Sequence, residues 1–372
     1  MPTNTPSVRI SPDNATVLQN LGLLKELAGN WHGHGFNLVA RPAFEFGPAV
    51  NLFLELNLTE ETLKFDPISS AIPNRGTFQD DIELFGLTYL QKISDATTGG
   101  ALHIEPGIWV TQPATTQPSE TPPPGGQLVA RMGNIPHGNS ILVQGIADEF
   151  QGTPVISPGA QPISGGSPAF SEFPSFNSTP MTPPFPTPIF SAGTSELASK
   201  PGGGFSQYTL TNPPSATNPR TPLGNIPPVL PPAITQALVN DPITLLQQKI
   251  EQQVAEGHTF EGVVLNIASL TPIGFVTQPT VAGSPSPPVI SVNLPQFGGG
   301  AENLPFLETN ADTALVYATF WIEKVSHPQR PQFMQLQYAQ MVLLNFPANG
   351  IPAKLNFSWP HITVATLRKT FG

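Results

Sequence analysis

The sequence predicts an all-β fold: a closed antiparallel barrel of about ten strands, with a short N-terminal helix, one inserted helix and a long Pro/Gly-rich insertion. Three observations lead there. Apolar and polar residues alternate with period two in about eleven segments, as expected of strands with one face in a core. The 46 prolines and 33 glycines break helices and keep regular elements short or at edges. Finally, both ends of the chain read as strands, one from Gly29 through Trp31 to Phe36 and one from Trp359 to Lys369, and a barrel closes by pairing such ends.

The elements follow in chain order. Val17, Leu21, Leu24 and Ala28 recur at helical spacing, so residues 14–28 read as one helix, capped by Asp13 or Asn14 and ended by Gly29. A helix just before the first strand suits a lid or plug on a barrel mouth. From Trp31 the period becomes two, with strands expected near 31–39, 50–58, 62–67, 83–93, 101–111, 127–133 and 140–147. Glu60-Glu61 is read as the turn of a hairpin, and residues 71–76 as a turn-rich loop. Residues 148–232 are dominated by Pro, Gly, Ser and Thr and form an irregular insertion. Its scattered aromatics, Phe170, Phe185 and Tyr208 among them, suit a segment wrapped over the barrel rather than a free linker. A second helix is expected over 242–256, with Asp241 as N-cap, Pro242 at the first position and Gly257 after the end. A strand over 261–268, a loop over 277–305 and strands over 313–325, 333–346 and 355–369 complete a single domain of 372 residues.

Composition narrows the function. The net charge is −10 and no Lys/Arg cluster exists, so nucleic acid is not an expected partner. With no cysteine, disulfides, thiolate metal sites and cysteine nucleophiles are excluded. The start has no basic, apolar signal pattern and no apolar run reaches the length of a membrane span, so the expectation is a cytoplasmic protein. A homo-oligomer is compatible with all of this. Gly-x-Ser-x-Gly, the P-loop and a helix-opening Gly-x-Gly-x-x-Gly are absent; Gly33-His34-Gly35 sits on a strand and cannot cradle phosphate.

Alternation sorts the candidate residues. If Trp31 points inward, so do Gly33, Gly35 and Asn37, whereas His32 and His34 point out. Two inward glycines either leave room for a flat ligand or let the strand bend. On the last strand His361, Thr363, Ala365 and Leu367 share a face, and Pro360 marks an edge or bulge that can re-aim a side chain. His103 and Glu105 share a face of one strand, and His137 sits in the turn Ile135-Pro136-His137-Gly138-Asn139.

The start Gly29-Asn30-Trp31-His32-Gly33-His34-Gly35, following a short helix, resembles the calycin superfamily of lipocalins and fatty-acid-binding proteins. Within it the pattern is most similar to the nitrobindin-type haem barrels. Those end, as here, on a histidine, a few apolar residues and Ala-x-Leu-Arg: His361 through Ala365-Thr366-Leu367-Arg368. The resemblance covers the two ends of the chain and not its middle. It implies a calycin-like barrel that binds b-type haem, with His361 as the iron ligand, Gly33, Gly35 and Thr363 giving clearance, and Arg368 stacked on the plugging Trp31. His137 or His103 would supply a distal group, and Arg75 or Arg131 would pair with a propionate. The chemistry implied is binding of a diatomic ligand such as NO, CO or O₂, or haem-dependent peroxidase or isomerase-type turnover. Two rivals stand beside it. One is a metal-free carrier of an apolar small molecule or fatty acid. The other is a non-haem metal enzyme built from His32, His34, His103 and Glu105, which requires the opposite register with Trp31 outside.

Overall fold

The computed structural model describes residues 13–41, 53–113 without Phe78, 126–156 without His137, 230–269 without Asp241, 300–347 without 311–312, and 356–370, together with isolated positions (115, 210, 214, 220–221, 274–275 and 291–292). Most of the insertion's aromatics, the Pro-rich 277–290 stretch, residues 50–52 and the expected cap Asp241 therefore lie outside the described residues.

The chain forms a closed antiparallel barrel of ten strands. The strands are β1 (Gly29–Arg41), β2 (Phe53–Pro67), β4 (Ile82–Asp95), β5 (Ala101–Thr111), β6 (Gln127–Asn134), β7 (Ser140–Gln151), β8 (Thr259–Ser269), β11 (Leu315–His327), β12 (Arg330–Pro347) and β13 (Asn356–Thr370). Around the wall they run β2-β1-β13-β12-β11-β8-β7-β6-β5-β4, and β4 returns to β2 to close it. A three-residue β3 (Ile72–Asn74) extends β4, and β9 (Gly274–Phe275) pairs with β10 (Ser291–Val292) outside the barrel. The first and last strands are neighbours, as expected: Trp31 lies opposite Lys369, Gly35 opposite Ala365 and Val39 opposite His361.

Four local expectations give way. The hairpin at Glu60-Glu61 does not form, because β2 runs unbroken from Phe53 to Pro67. Its two glutamates face opposite sides and each has a partner: Glu60 meets His32 on the surface at 3.0 Å, and Glu61 is held inside the barrel. The single helix over 14–28 divides into α1 (Asn14–Asn20), capped by Asp13 on the Thr16 N–H, and a 3₁₀ turn (Gly22–Leu27). Gly22, with φ of 55°, makes that break, since a left-handed residue cannot continue a right-handed helix. Helix α3 (Thr244–Ala255) starts two residues later than expected, but Gly257 ends it at φ 88° as a C-terminal glycine should. Helices α2 (Gln236–Asn240) and α4 (Asn303–Asn310) have no counterpart in the sequence reading, α4 beginning inside the stretch read as a loop.

Part of the wall is buried on both sides. Inside, Trp31, Leu63, Phe65, Trp109, Phe320, Leu336 and Leu367 form an apolar plug, which α1 and the 3₁₀ turn close with Val17, Leu21, Leu24 and Leu27. The Trp31 indole N–H donates to the Leu27 carbonyl at 2.6 Å. Lys369, not Arg368, lies over that indole, its Nζ 5.1 Å from the ring centre, while Arg368 points outward and covers Phe333 at 3.7 Å. Outside, Phe36, Leu38, Tyr317, Trp321, Val325, Met341, Ile362 and Val364 form a second core beneath α2 and α3, which contribute Leu238, Val239, Leu246 and Ile250. The insertion docks here too. The Thr221 N–H donates to the Leu54 carbonyl at 3.0 Å, and Leu56 N–H donates to Thr221 Oγ1 at 2.9 Å. That contact pairs the stretch of β2 that lies before its pairing with β4 begins at Thr59.

Candidate functional site

The end of the barrel opposite the Trp31 plug holds a cavity of about 900 Å³. Its walls are aliphatic: Val39, Ile93, Leu102, Val342 and Leu344. Polar groups converge on it from five strands: Asn37 from β1, Asn57 from β2, His103 and Glu105 from β5, Gln340 from β12, and Thr363 and His361 from β13. Lys92 and Ser94 lie at the same end. This combination, an apolar chamber with a few placed polar groups, is the usual form of a small-ligand site, and its size is within the usual range.

His361 reaches the cavity because β13 alternates. Ile362 and Val364 join the outer core, so His361, Thr363, Ala365 and Leu367 face in. Opposite His361 on β1 is Val39, and opposite Thr363 is Asn37, whose side-chain oxygen accepts from Asn57 Nδ2 at 3.0 Å.

His103 has a charged support behind it. Its Nε2 is 3.4 Å from Glu105 Oε2, and the other Glu105 oxygen takes Arg131 Nη2 at 2.6 Å and the Tyr89 hydroxyl. Arg131 also donates to Tyr89 Oη at 3.1 Å and to Gln340 Oε1 at 2.6 Å, and sits over Tyr89, Trp109 and Phe320. Burial opposes ionisation of Glu105, but the Arg131 charge and the hydrogen bonds of His103 and Tyr89 outweigh it and hold the carboxyl below its usual range. A permanently ionised Glu105 can only accept, so His103 Nε2 carries the hydrogen and Nδ1 is left as the acceptor of the neutral ring.

A second polar cluster lies beside the first. Glu61 is fully buried, accepts from Tyr338 Oη at 2.5 Å and from Thr59 Oγ1 at 2.8 Å, and Gln91 Nε2 donates to the same phenol at 2.8 Å. Burial pushes its carboxyl up, against those hydrogen bonds. Tyr338 crosses three strand positions to reach it. The residues between them on the inner face are Ala365 and Gly35, which leave the lane open.

The other expected site residues divide. Thr363 and His103 line the cavity with His361. Gly33 and Gly35 are on the inner face, yet their role is close approach: a Cβ on either would meet a β13 carbonyl oxygen at 2.2 Å. Arg131 is inside but fully engaged with Glu105, Tyr89 and Gln340, so its placement does not suit a propionate. Arg75 is exposed and paired with Asp81 at 3.2 Å, away from the cavity. His137 lies outside the described residues. The four-residue metal site is not formed: His32 and His34 are exposed on the outer face, and His103 and Glu105 are inside the barrel. Among the described residues no group of three or more His, Asp and Glu side chains could hold a metal ion. The same alternation that turns Trp31 inward turns both histidines out.

The sequence reading missed Asn57, Glu61, Tyr89, Gln91, Tyr338 and Gln340 as members of the site. A signal existed for Glu61: at two-residue steps Glu61 shares a face with the inward Leu63 and Phe65.

The fold is thus a closed ten-stranded barrel with a polar-floored cavity at one end. No family model matches the chain, and no curated protein matches it. A solved structure that it matches is the crystal structure of Rv2717c from M. tuberculosis, aligned over 96% of this chain and 100% of that one, at 10% identity and a TM-score of 0.29. A match at that score is no warrant for function.

Proposed function

We propose that the protein binds b-type haem in this cavity, with His361 as the axial ligand. The observation that carries the reading is the inward placement of His361 on the wall of an aliphatic chamber of about 900 Å³, with Thr363 beside it and Val39 opposite. The donor set suits the group: one imidazole for the iron and aliphatic walls for the macrocycle. When bound, haem would supply an iron able to bind a diatomic molecule or peroxide.

The chain's own residues set what can happen there. The Arg131–Glu105 pair orients His103 and fixes which of its nitrogens carries the hydrogen. His103 can then accept a proton at Nδ1 and return it, the acid–base role that peroxide chemistry needs. Asn37, Asn57 and Gln340 offer hydrogen bonds on the same floor. One substitution tests this. His361→Ala lowers haem affinity by about tenfold or more while leaving the far-ultraviolet circular dichroism unchanged; unaltered affinity and Soret position would remove His361 as the ligand. The aliphatic lining also favours a metal-free carrier of an apolar molecule. A fatty acid suits it less well, because the buried cation Arg131 is already paired with Glu105.

A further inference from the structure

The cavity has a second buried acid behind its histidine, Glu61. Glu61, Ile93 and His103 lie in one row across three adjacent strands: Glu61 is opposite Ile93 on β4, and Ile93 is opposite His103 on β5. Adjacent strands are about 4.8 Å apart, so the two ionisable residues stand roughly 10 Å from each other at the backbone, with both side chains facing in. The residue between them is the buried Ile93, so their charges are screened less than those of two surface groups. A positive His103 eases the ionisation of Glu61. The ionised form of Glu61 is also provided for: Tyr338 and Thr59 both direct hydroxyl hydrogens at its oxygens.

We propose that Glu61 and His103 act as one acid–base pair, holding a single proton between them and setting the protonation state of the cavity floor. In one state Glu61 is the neutral acid and the imidazole is neutral. In the other, the carboxyl O–H has been given up, its electron pair stays on the carboxylate under the Tyr338 and Thr59 hydroxyls, and a proton is held at His103 Nδ1. Both states have the same net charge, so neither leaves the barrel interior with an added unpaired charge. An occupant that accepts a hydrogen bond from His103 favours the second state, and one that donates favours the first. The remaining charged and titratable groups around the pair hold still. Glu105 and Arg131 neutralise each other, burial raises the phenols of Tyr89 and Tyr338 well above neutral pH, Glu55 and His361 belong to the cavity side of His103, and Lys92 is exposed on the outer face of β4. Glu61 is thus a positioning residue. The inference rests on the cavity being the ligand site, not on the ligand being haem.

The test uses the full-length, haem-free protein, so it fails or succeeds apart from haem binding. The titration of the His103 imidazole is followed by NMR in the native protein and in Glu61→Gln, with His103→Gln assigning the signal. Glu61→Gln keeps a side-chain oxygen to accept from Tyr338 or Thr59 but cannot ionise. The expected result is a fall in the His103 midpoint of roughly half to one pH unit, because the anion that favoured the imidazolium has gone. An unchanged or higher midpoint overturns the pairing and leaves Glu61 a structural hydrogen-bonding group. If Glu61→Gln does not fold, the same question is put to a Glu323→Gln background, which removes another buried carboxyl. There the infrared band of protonated carboxyl is expected to fade in step with the His103 titration. A band lost in the ordinary carboxylate range, or one that persists unchanged through the His103 titration, overturns the proposal.

Discussion

Glu323 shows how a single carboxyl can set the pH response of the fold. It lies on the outer face of β11, buried under α3, where Gln335 donates to one oxygen and Gln253 of α3 donates in turn to Gln335. The other oxygen has no partner among the described residues. Burial pushes its pKa up to about 8, against the Gln335 hydrogen bond. A raised carboxyl pKa means that the folded state keeps a proton that the unfolded chain releases near its ordinary value of about 4.3. Stability from this group is therefore full at acid pH, declines as pH rises toward 8, and is flat above. Glu323→Gln is expected to remove that decline and to raise stability by roughly 1–3 kcal/mol at pH 8, with little change at pH 4. Denaturant melts at the two pH values check it; equal effects at both would show that the carboxyl is not the titrating group. At this scale alternation made much legible. The inward faces of Trp31 and of His361 with Thr363 follow from counting by two. The same count shows why Arg368 cannot stack on Trp31: it is seven residues from His361, so if one is inside the other is outside. Lys369 has the right parity and takes the place. The inward face of Glu61 could be counted in the same way, but its contact with Tyr338 was not legible, because it joins residues 277 apart in sequence.

At the scale of elements, strands were found where apolar residues alternate, and errors fell where alternation was interrupted for a physical reason. Glu60-Glu61 reads as a turn only if both glutamates must be solvated. Inside a barrel one of them has hydroxyl partners and the strand continues. The outer core was hidden differently. The run Val263-Val264-Leu265 in β8 is apolar on both faces, the pattern of a strand covered on both sides. What covers it, α3, is amphipathic in the sequence, but pattern alone does not say which face of the barrel it meets. Leu246 is the centre of that cover, fully buried on the outer core. Leu246→Ala is expected to cost about 2–5 kcal/mol. Because the outer core and the cavity are on opposite faces of the wall, ligand affinity at temperatures below the melt should be unchanged. A loss below about 1 kcal/mol in denaturant melts would show that α3 rests on the barrel without supporting it.

The whole molecule is a barrel of local hairpins closed by long-range pairings. Five strands follow one another from β4 around to β8 with neighbours close in sequence except across the insertion, and closure depends on β1 meeting β13 and on β2 meeting β4. The insertion returns to the wall at Thr221, beside the segment of β2 not paired with β4, so it supports the barrel as well as interrupting the sequence. Among the described residues no helix is long and apolar enough to cross a membrane. One end of this wall is sealed by Trp31, the 3₁₀ turn and Lys369, and the other holds the cavity that His361 lines. Haem binding there is tested most directly by the visible spectrum of the native protein titrated with haemin. The expected result is a Soret band that saturates at one haem per chain, with a shape typical of histidine ligation that is lost in His361→Ala. Absence of a saturable Soret change in the native protein, with the fold intact by circular dichroism, would contradict it and leave the metal-free carrier as the function of the cavity.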